Sequence, residues 1–97
     1  MVRRRYLVAY DIRDPGRLRG IHKTMKAYGQ PLQYSVFVSD LDGIERIAMI
    51  GALQDKMNLH VDSVVIVDLG APTTTGTTSF QFLGARLPLR NSGPTIV

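Results

Sequence analysis

The chain has 97 residues, a formal net charge of +4 and no cysteine. This length fits one domain with a single core. The lack of cysteine excludes a disulfide framework, a thiolate nucleophile and a cysteine zinc site, and it is typical of a cytoplasmic protein. No stretch approaches the roughly 18–20 apolar residues that a membrane-spanning helix needs, so we expect no membrane partner.

The positive charge is concentrated near the start of the chain. Residues 1–28 contain eight Lys or Arg against two Asp, a net of +6, whereas the remaining 69 residues contain four basic and six acidic side chains, a net of −2. Nine of the twelve basic residues are Arg, whose planar guanidinium suits phosphate contacts. We therefore predict a basic face that binds nucleic acid, and a solvated face that only aids solubility stays open as the alternative.

The first half of the chain predicts strand, helix and strand. Residues 5–12 are β-branched and aromatic, which indicates a central strand with Asp11 on the same face as Leu7 and Ala9. Asp14-Pro15 predicts the start of a helix, which Gly29 then ends as the residue just past the last turn. Residues 32–38 predict either one strand or a short bent pair of strands.

The second half predicts a helix and two further strands. A capping box of Asp42 and Glu45 predicts a broadly buried helix over roughly 43–57. Residues 61–69 form the most apolar predicted strand, 71–78 an exposed loop, and 79–83 a short strand. The two helices can share one face of the sheet, but the pattern leaves both parallel pairing and a ferredoxin-like split arrangement open.

Asp11 is the best candidate for a chemical site because it is a lone carboxylate in an apolar strand. Burying an unpaired carboxylate is costly, so we expect Asp11 to be paired, hydrated, protonated or bound to a metal. A salt bridge to Arg13 or Arg17 is the simpler interpretation. A single carboxylate is a weak basis for a Mg²⁺ site, because Mg²⁺ prefers one or two carboxylates plus waters and phosphates. A symmetric dimer would supply two carboxylates.

Other candidates are weaker when taken singly. The Ser35 hydroxyl can hold a phosphate or a metal-bound water, and the Phe37 ring can stack on a base, although packing at the edge of the core is the simpler interpretation of both. Arg17 and Arg19 at the start of the first helix can bind phosphate. His22 is predicted to be a surface or edge residue rather than a general base.

Four short motifs follow one another in a specific order and spacing: Tyr10-Asp11-Ile12-Arg13-Asp14, Arg17-Leu18-Arg19, Tyr28-Gly29 and Gln33-Tyr34-Ser35-Val36-Phe37. Together they resemble the Cas2 family of CRISPR-associated proteins over residues 5 to about 40, and residues 80–84 look like its C-terminal part. The resemblance implies a ferredoxin-like α+β fold of order β-α-β-β-α-β with an additional C-terminal strand. It further implies a domain over residues 1–84 and a tail over 85–97 that packs on the partner of a homodimer.

The resemblance also implies a function in CRISPR adaptation, the acquisition of new spacers. It implies a homodimeric endonuclease in which two Asp11 carboxylates share one Mg²⁺ or Mn²⁺, with Ser35 as a second catalytic residue. The implied partners are the Cas1 integrase, duplex DNA and single-stranded RNA. The implied nucleic-acid-binding residues are Tyr10, Arg13, Arg17, Arg19 and Phe37.

The chain departs from the family at Pro31, where many members carry an Arg. Proline offers no phosphate contact, so binding or cleavage through that position is lost. Two other functions stay open beside the nuclease. One is a non-catalytic scaffold that bridges Cas1 integrase dimers, and the other is a ribonuclease toxin of the VapD type.

Overall fold

The computed structural model describes residues 2–72 and 80–84. Its elements are β1 (Arg4–Asp11), α1 (Pro15–Tyr28), β2 (Gln30–Gln33), β3 (Val36–Leu41), α2 (Gly43–Lys56) and β4 (Ser63–Gly70). The strands form one sheet in the order β2-β3-β1-β4, and each described pairing is antiparallel. The ferredoxin-like α+β arrangement is therefore confirmed, and residues 32–38 form the bent pair of strands.

The main core lies between the sheet and the two helices. Successive side chains of a strand point to opposite faces, and Tyr6, Val8 and Tyr10 of β1 are buried on the face that the helices cover. The buried members of this core are Tyr6, Val8, Tyr10, Ile12, Ile21, Met25, Phe37, Leu41, Met49 and Leu53. None of the described helices is long and apolar enough to cross a membrane.

Both helices begin where the sequence predicts. The Asp14 carboxylate accepts a hydrogen bond from the Arg17 backbone N–H at 2.9 Å. At α2, Asp42 accepts from the Glu45 N–H at 2.8 Å and Glu45 accepts from the Asp42 N–H at 2.9 Å, which completes the capping box. A cap of this kind stabilises a helix by about 0.5–2 kcal/mol.

Gly29 follows the last residue of α1, and a left-handed backbone conformation is not the reason for a glycine here. Its φ of −164° is extended, a conformation that any residue adopts. A Cβ atom at this position would lie 2.4 Å from the Val38 carbonyl oxygen and 2.4 Å from the Ser39 hydroxyl. Glycine is needed here because the end of α1 approaches β3 too closely for any side chain.

The predicted broad burial of α2 is wrong. Only Met49 and Leu53 of this helix are buried, while Ile44 and Ile47 are exposed, Ile47 by 70%. The helix rests on the sheet by one side, and within the described residues no further layer covers its outer side.

The second face of the sheet carries a smaller apolar cluster. Leu32 and Val38 are buried there, and Phe80 and Phe82 pack against them. Residues 80–83 have no regular secondary structure, so the strand predicted over 79–83 is absent from its described part. Most of the loop predicted over 71–78 lies outside the described residues, as does the tail over 85–97, so the domain division at residue 84 stays a prediction.

Candidate nucleic-acid interface

Asp11 is the last residue of β1 and lies opposite Ser63 of β4. Its side chain is 67% exposed, so water hydrates the carboxylate, which is one of the states that the sequence predicts for it. The strand ends at this residue, and solvent therefore reaches the carboxylate from the side of the sheet that the helices leave open. The nearest cation is the Arg13 guanidinium at 3.6 Å, and an exposed ion pair of this kind stabilises little.

Arg17 does not pair with Asp11. Its guanidinium donates to the Asp62 carboxylate through Nε at 2.8 Å and Nη2 at 3.2 Å. The same carboxylate accepts the backbone N–H groups of Arg13 and Asn58, both at 2.8 Å. These hydrogen bonds, with that of Arg17 the strongest, lower the pKa of Asp62 well below its usual value of 3.8 against the opposing effect of burial.

Asp62 is the residue at this site that the sequence interpretation missed. A single Asp before an apolar run indicates only the end of a loop. Its contacts with Arg13 and Arg17 span 49 and 45 residues, so no local pattern reveals them. Through these contacts Asp62 holds the segment that follows Asp11 against the start of α1.

Ser35 lies in the turn between β2 and β3 and is half-buried. Its carbonyl oxygen accepts the Tyr10 backbone N–H at 3.0 Å. This hydrogen bond continues the β1–β3 pairing beyond Ala9 and Val36. The structure therefore brings Ser35 beside the end of β1, next to the residue that precedes Asp11.

Tyr10 and Phe37 do not line a groove. Both side chains point to the face of the sheet that the helices cover, where Phe37 is fully buried and Tyr10 nearly so. Their rings stack on each other with centroids 6.2 Å apart, and neither presents a free face to a base. The burial of Phe37 therefore excludes the base stacking that the sequence left open for it and agrees with the simpler interpretation of core packing. Strand alternation alone cannot tell the covered face of a strand from the open one.

Tyr10 instead joins a hydrogen-bonded cluster with His22 and Tyr34. Its hydroxyl donates to the Tyr34 carbonyl oxygen at 2.9 Å, and His22 Nδ1 lies 3.0 Å from the hydroxyl and 3.1 Å from that carbonyl. A carbonyl oxygen only accepts, so this network assigns a proton to Nδ1. Burial, with a smaller effect of Tyr34, raises the pKa of Tyr10 well above its usual value of 10.0.

The basic character of the first 28 residues is concentrated on α1. Arg3, Arg4 and Arg5 are paired with Glu45, Asp68 and Asp40, and Arg17 is paired with Asp62. Three other cations form no ion pair with any residue in the described part of the chain, and α1 itself contains no acid. These cations are Arg19, Lys23 and Lys26.

A model of the family described as CRISPR associated protein Cas2 matches residues 4–75. The chain belongs to the Cas2 family. A Rhodospirillum rubrum relative, named CRISPR-associated endoribonuclease Cas2 1, is 52% identical over 65 residues, which cover 67% of this chain and 64% of the relative. A Geobacter sulfurreducens relative, named CRISPR-associated endoribonuclease Cas2, is 46% identical over 65 residues, which cover 67% of this chain and 68% of the relative.

A solved Cas2 structure from Streptococcus pyogenes supports the same fold. It superposes with a TM-score of 0.74 at 28% identity, over 82% of this chain and 99% of that one. The Cas2 family assignment rests on the match over residues 4–75 and on the identity to the relatives, and the superposition agrees with the ferredoxin-like topology that the four motifs implied.

Pro31, the departure from the Cas2 family pattern, lies in β2 and pairs with Phe37 of β3. β2 is the edge strand of the described sheet, where a residue without an N–H is tolerated. A bulge between Pro31 and Gln33 accompanies it. The proline therefore fits its strand, and its side chain has no hydrogen-bond donor for a phosphate.

Within residues 2–72 and 80–84, no three His, Cys, Asp or Glu side chains lie close enough together to hold a metal ion. Asp11 is an exposed oxygen ligand of the kind that Mg²⁺ and Mn²⁺ take, but a single carboxylate needs further ligands. The described residues of one chain thus supply one carboxylate, Asp11, of the two that the metal site implied by the Cas2 resemblance needs.

Proposed function

We propose that this member of the Cas2 family is a homodimeric, metal-dependent endonuclease of CRISPR adaptation. The observation that carries the proposal is the position of Asp11, which is exposed at the end of β1 on the face of the sheet that the helices do not cover, the open face. The relatives are named CRISPR-associated endoribonucleases, which supports nucleic-acid cleavage and favours RNA as the substrate.

The open face supports a homodimer. Val65 and Val67 of β4 are exposed on it, Val65 by 56%, and they lie opposite Ala9 and Leu7 in the β1–β4 register. Covering this apolar strip with a second copy would remove it from water. Because Asp11 follows Leu7 and Ala9 on the same face, a two-fold axis that passes through this interface near the end of β1 would bring the two Asp11 carboxylates together.

Two Asp11 carboxylates would hold one Mg²⁺ or Mn²⁺, which supplies Lewis-acid stabilisation of charge on a scissile phosphate and activates the attacking water. The exposed Arg13 beside Asp11 binds a phosphate oxygen and orients the backbone. The Ser35 hydroxyl, in the turn between β2 and β3 that lies beside the end of β1, donates a hydrogen bond to the same phosphate. Asp62 holds the Arg13 segment in place through the backbone N–H.

A non-catalytic scaffold is the second candidate, and one observation favours it. The unpaired cations Arg19, Lys23 and Lys26 all lie on α1, and phosphate contacts from such a helix bind a duplex without any metal. In this function the homodimer holds duplex DNA for the Cas1 integrase, and Asp11 takes no part in chemistry.

Cleavage assays separate the two functions. Purified protein is incubated with labelled single-stranded RNA or duplex DNA in Mg²⁺, Mn²⁺ or EDTA, beside Asp11→Asn and the control Asp55→Asn, an exposed carboxylate on α2. Each variant is first shown to have the same oligomeric state as the parent protein. Metal-dependent cleavage that Asp11→Asn abolishes and Asp55→Asn retains supports the nuclease, whereas duplex binding without cleavage above the Asp11→Asn background supports the scaffold.

A further inference from the structure

We propose that Tyr34 and His22 form a platform on which one unpaired base of a single-stranded nucleic acid stacks. This site lies on the helix side of the sheet, away from the open face that carries Asp11. The inference deepens the proposed function and rests on it in one respect, that the chain binds nucleic acid. It is independent of cleavage, of the metal and of the dimer.

The two rings already form a stacked pair. Their centroids are 4.4 Å apart and their planes differ by 16°. His22 covers one face of the Tyr34 ring, and the side chain is nevertheless 50% exposed, so the opposite face is open to solvent. An open aromatic face of this kind accepts any base, because each base has a π-face.

Contacts with neighbouring residues hold the two rings of the platform in place. His22 Nδ1 lies within hydrogen-bond distance of the Tyr10 hydroxyl and of the Tyr34 carbonyl oxygen, and the buried Phe37 ring contacts the His22 ring edge-on at 5.5 Å and 70°. The Tyr10 hydroxyl also fixes the Tyr34 backbone. Since these rings are ordered before a ligand arrives, stacking costs little conformational entropy.

The charges around the platform suit a polyanion. Arg19 and Lys26 stand three residues before and four residues after His22, so they share its side of α1. Both are exposed and neither has an ion-pair partner in the described residues. An aromatic face between two free cations fits a base with a phosphate on either side, which is the recognition pattern of single-strand binders.

The geometry selects an unpaired base rather than a base pair. In a duplex both faces of an interior base are covered by its neighbours, and only a single strand, a loop or an end exposes a face for a protein ring. The simpler function of Tyr34 is to shield the hydrogen bonds of His22 from water, and that function predicts no dependence of binding on the base.

The test compares four ligands by fluorescence anisotropy on the full-length chain. They are labelled decamers of uridylate and of thymidylate, an abasic decamer with the same phosphates, and a blunt duplex. The variants are Tyr34→Ala and the matched control Tyr34→Phe, which keeps the ring. We expect Tyr34→Ala to weaken binding of the uridylate or thymidylate decamer by about 5- to 150-fold, and the Phe control to bind within about twofold of the parent protein.

Abasic and duplex binding should change far less among the three proteins than single-strand binding, because the abasic decamer has no base and the duplex exposes a base face only at each end. Single-strand binding no tighter than abasic binding in the parent protein, or an unchanged affinity in a folded Tyr34→Ala, would overturn the platform and leave the proposed function standing. Loss of binding to all four ligands by the parent protein would overturn both. The comparison of the uridylate and abasic decamers needs no variant, so it can overturn the platform even if Tyr34→Ala does not fold.

Discussion

Arg17 and Asp62 are 45 residues apart in sequence and meet through two hydrogen bonds of 2.8 and 3.2 Å between guanidinium and carboxylate. The Asp62 side chain has no contact with solvent. By accepting the amides of Arg13 and Asn58 as well, it joins the start of α1, the segment after β1 and the loop between α2 and β4. One carboxylate thus determines where the Asp11–Arg13 segment lies.

Replacing Asp62 should destabilise the fold. Asp62→Ala leaves the Arg17 guanidinium and two amides without their acceptor, and buried groups that lose a partner are costly. We expect a clear fall in the urea midpoint for Asp62→Asn and a larger fall for Asp62→Ala. The matched control is Asp68→Asn, which breaks the exposed pair with Arg4 and should leave the midpoint nearly unchanged. Equal midpoints for the Asp62 and Asp68 variants would contradict this account.

The stability of the chain should decrease in acid because of the same carboxylate. A carboxyl whose folded pKa is depressed stabilises the protein at pH above its unfolded pKa, here near 3.8, and loses that contribution as the pH falls through the folded pKa. Urea midpoints measured from pH 7 to pH 2 should therefore fall below about pH 5. The fall should be shallower in Asp62→Asn, and parallel curves for the two proteins would show that another group controls the acid response.

Two glycines should respond in opposite directions to the same substitution. Gly29→Ala places a methyl group 2.4 Å from the Val38 carbonyl oxygen, and we expect a loss of about 1–3 kcal/mol as α1 moves away from β3. Gly51→Ala in α2 meets no atom within 4 Å and should stabilise the chain by about 0.5–1 kcal/mol through helix propensity. Denaturant unfolding measures both, and a neutral Gly29→Ala would mean that α1 and β3 can separate freely.

A charge on the open face should disrupt the proposed homodimer. Val65→Glu places a carboxylate in the apolar strip beside Ala9, and we expect dimerisation to weaken by at least about tenfold without loss of the fold. Ile47→Glu is the matched control, because Ile47 is also an exposed apolar residue but lies on the outer side of α2. Light scattering after size-exclusion chromatography gives the mass of each variant. A Val65→Glu protein that stays dimeric would place the interface elsewhere.

The boundaries of the helices could be predicted because their signals are local. The Asp14 cap, the proline that follows it and the capping box of Asp42 and Glu45 act within one turn of the backbone. The burial of α2 could not be predicted in the same way. An apolar side chain such as Ile47 has the same local pattern whether or not another layer covers it, and this depends on the rest of the fold.

The candidate site was predictable in part. The strand pattern singled out Asp11, and the four ordered motifs pointed to the Cas2 family. The same motifs also included Tyr10 and Phe37, whose rings proved to be buried on the helix side. Alternation along a strand tells which residues share a face, but it does not tell which face the helices cover.

The sequence by itself determined the elements, their order, the basic character of α1 and the family, since these depend on residue types at short separations. Only the tertiary structure decided the antiparallel order of the strands, the exposure of Asp11, the role of Asp62 and the stacking of Tyr34 on His22. Those features arise largely from contacts between residues that are distant in sequence, such as Tyr10 with His22, Arg13 with Asp62 and Asp11 with Ser63. Formation of the sheet brings such residues together, and the periodicity of residue types along the chain does not predict which of them will be in contact.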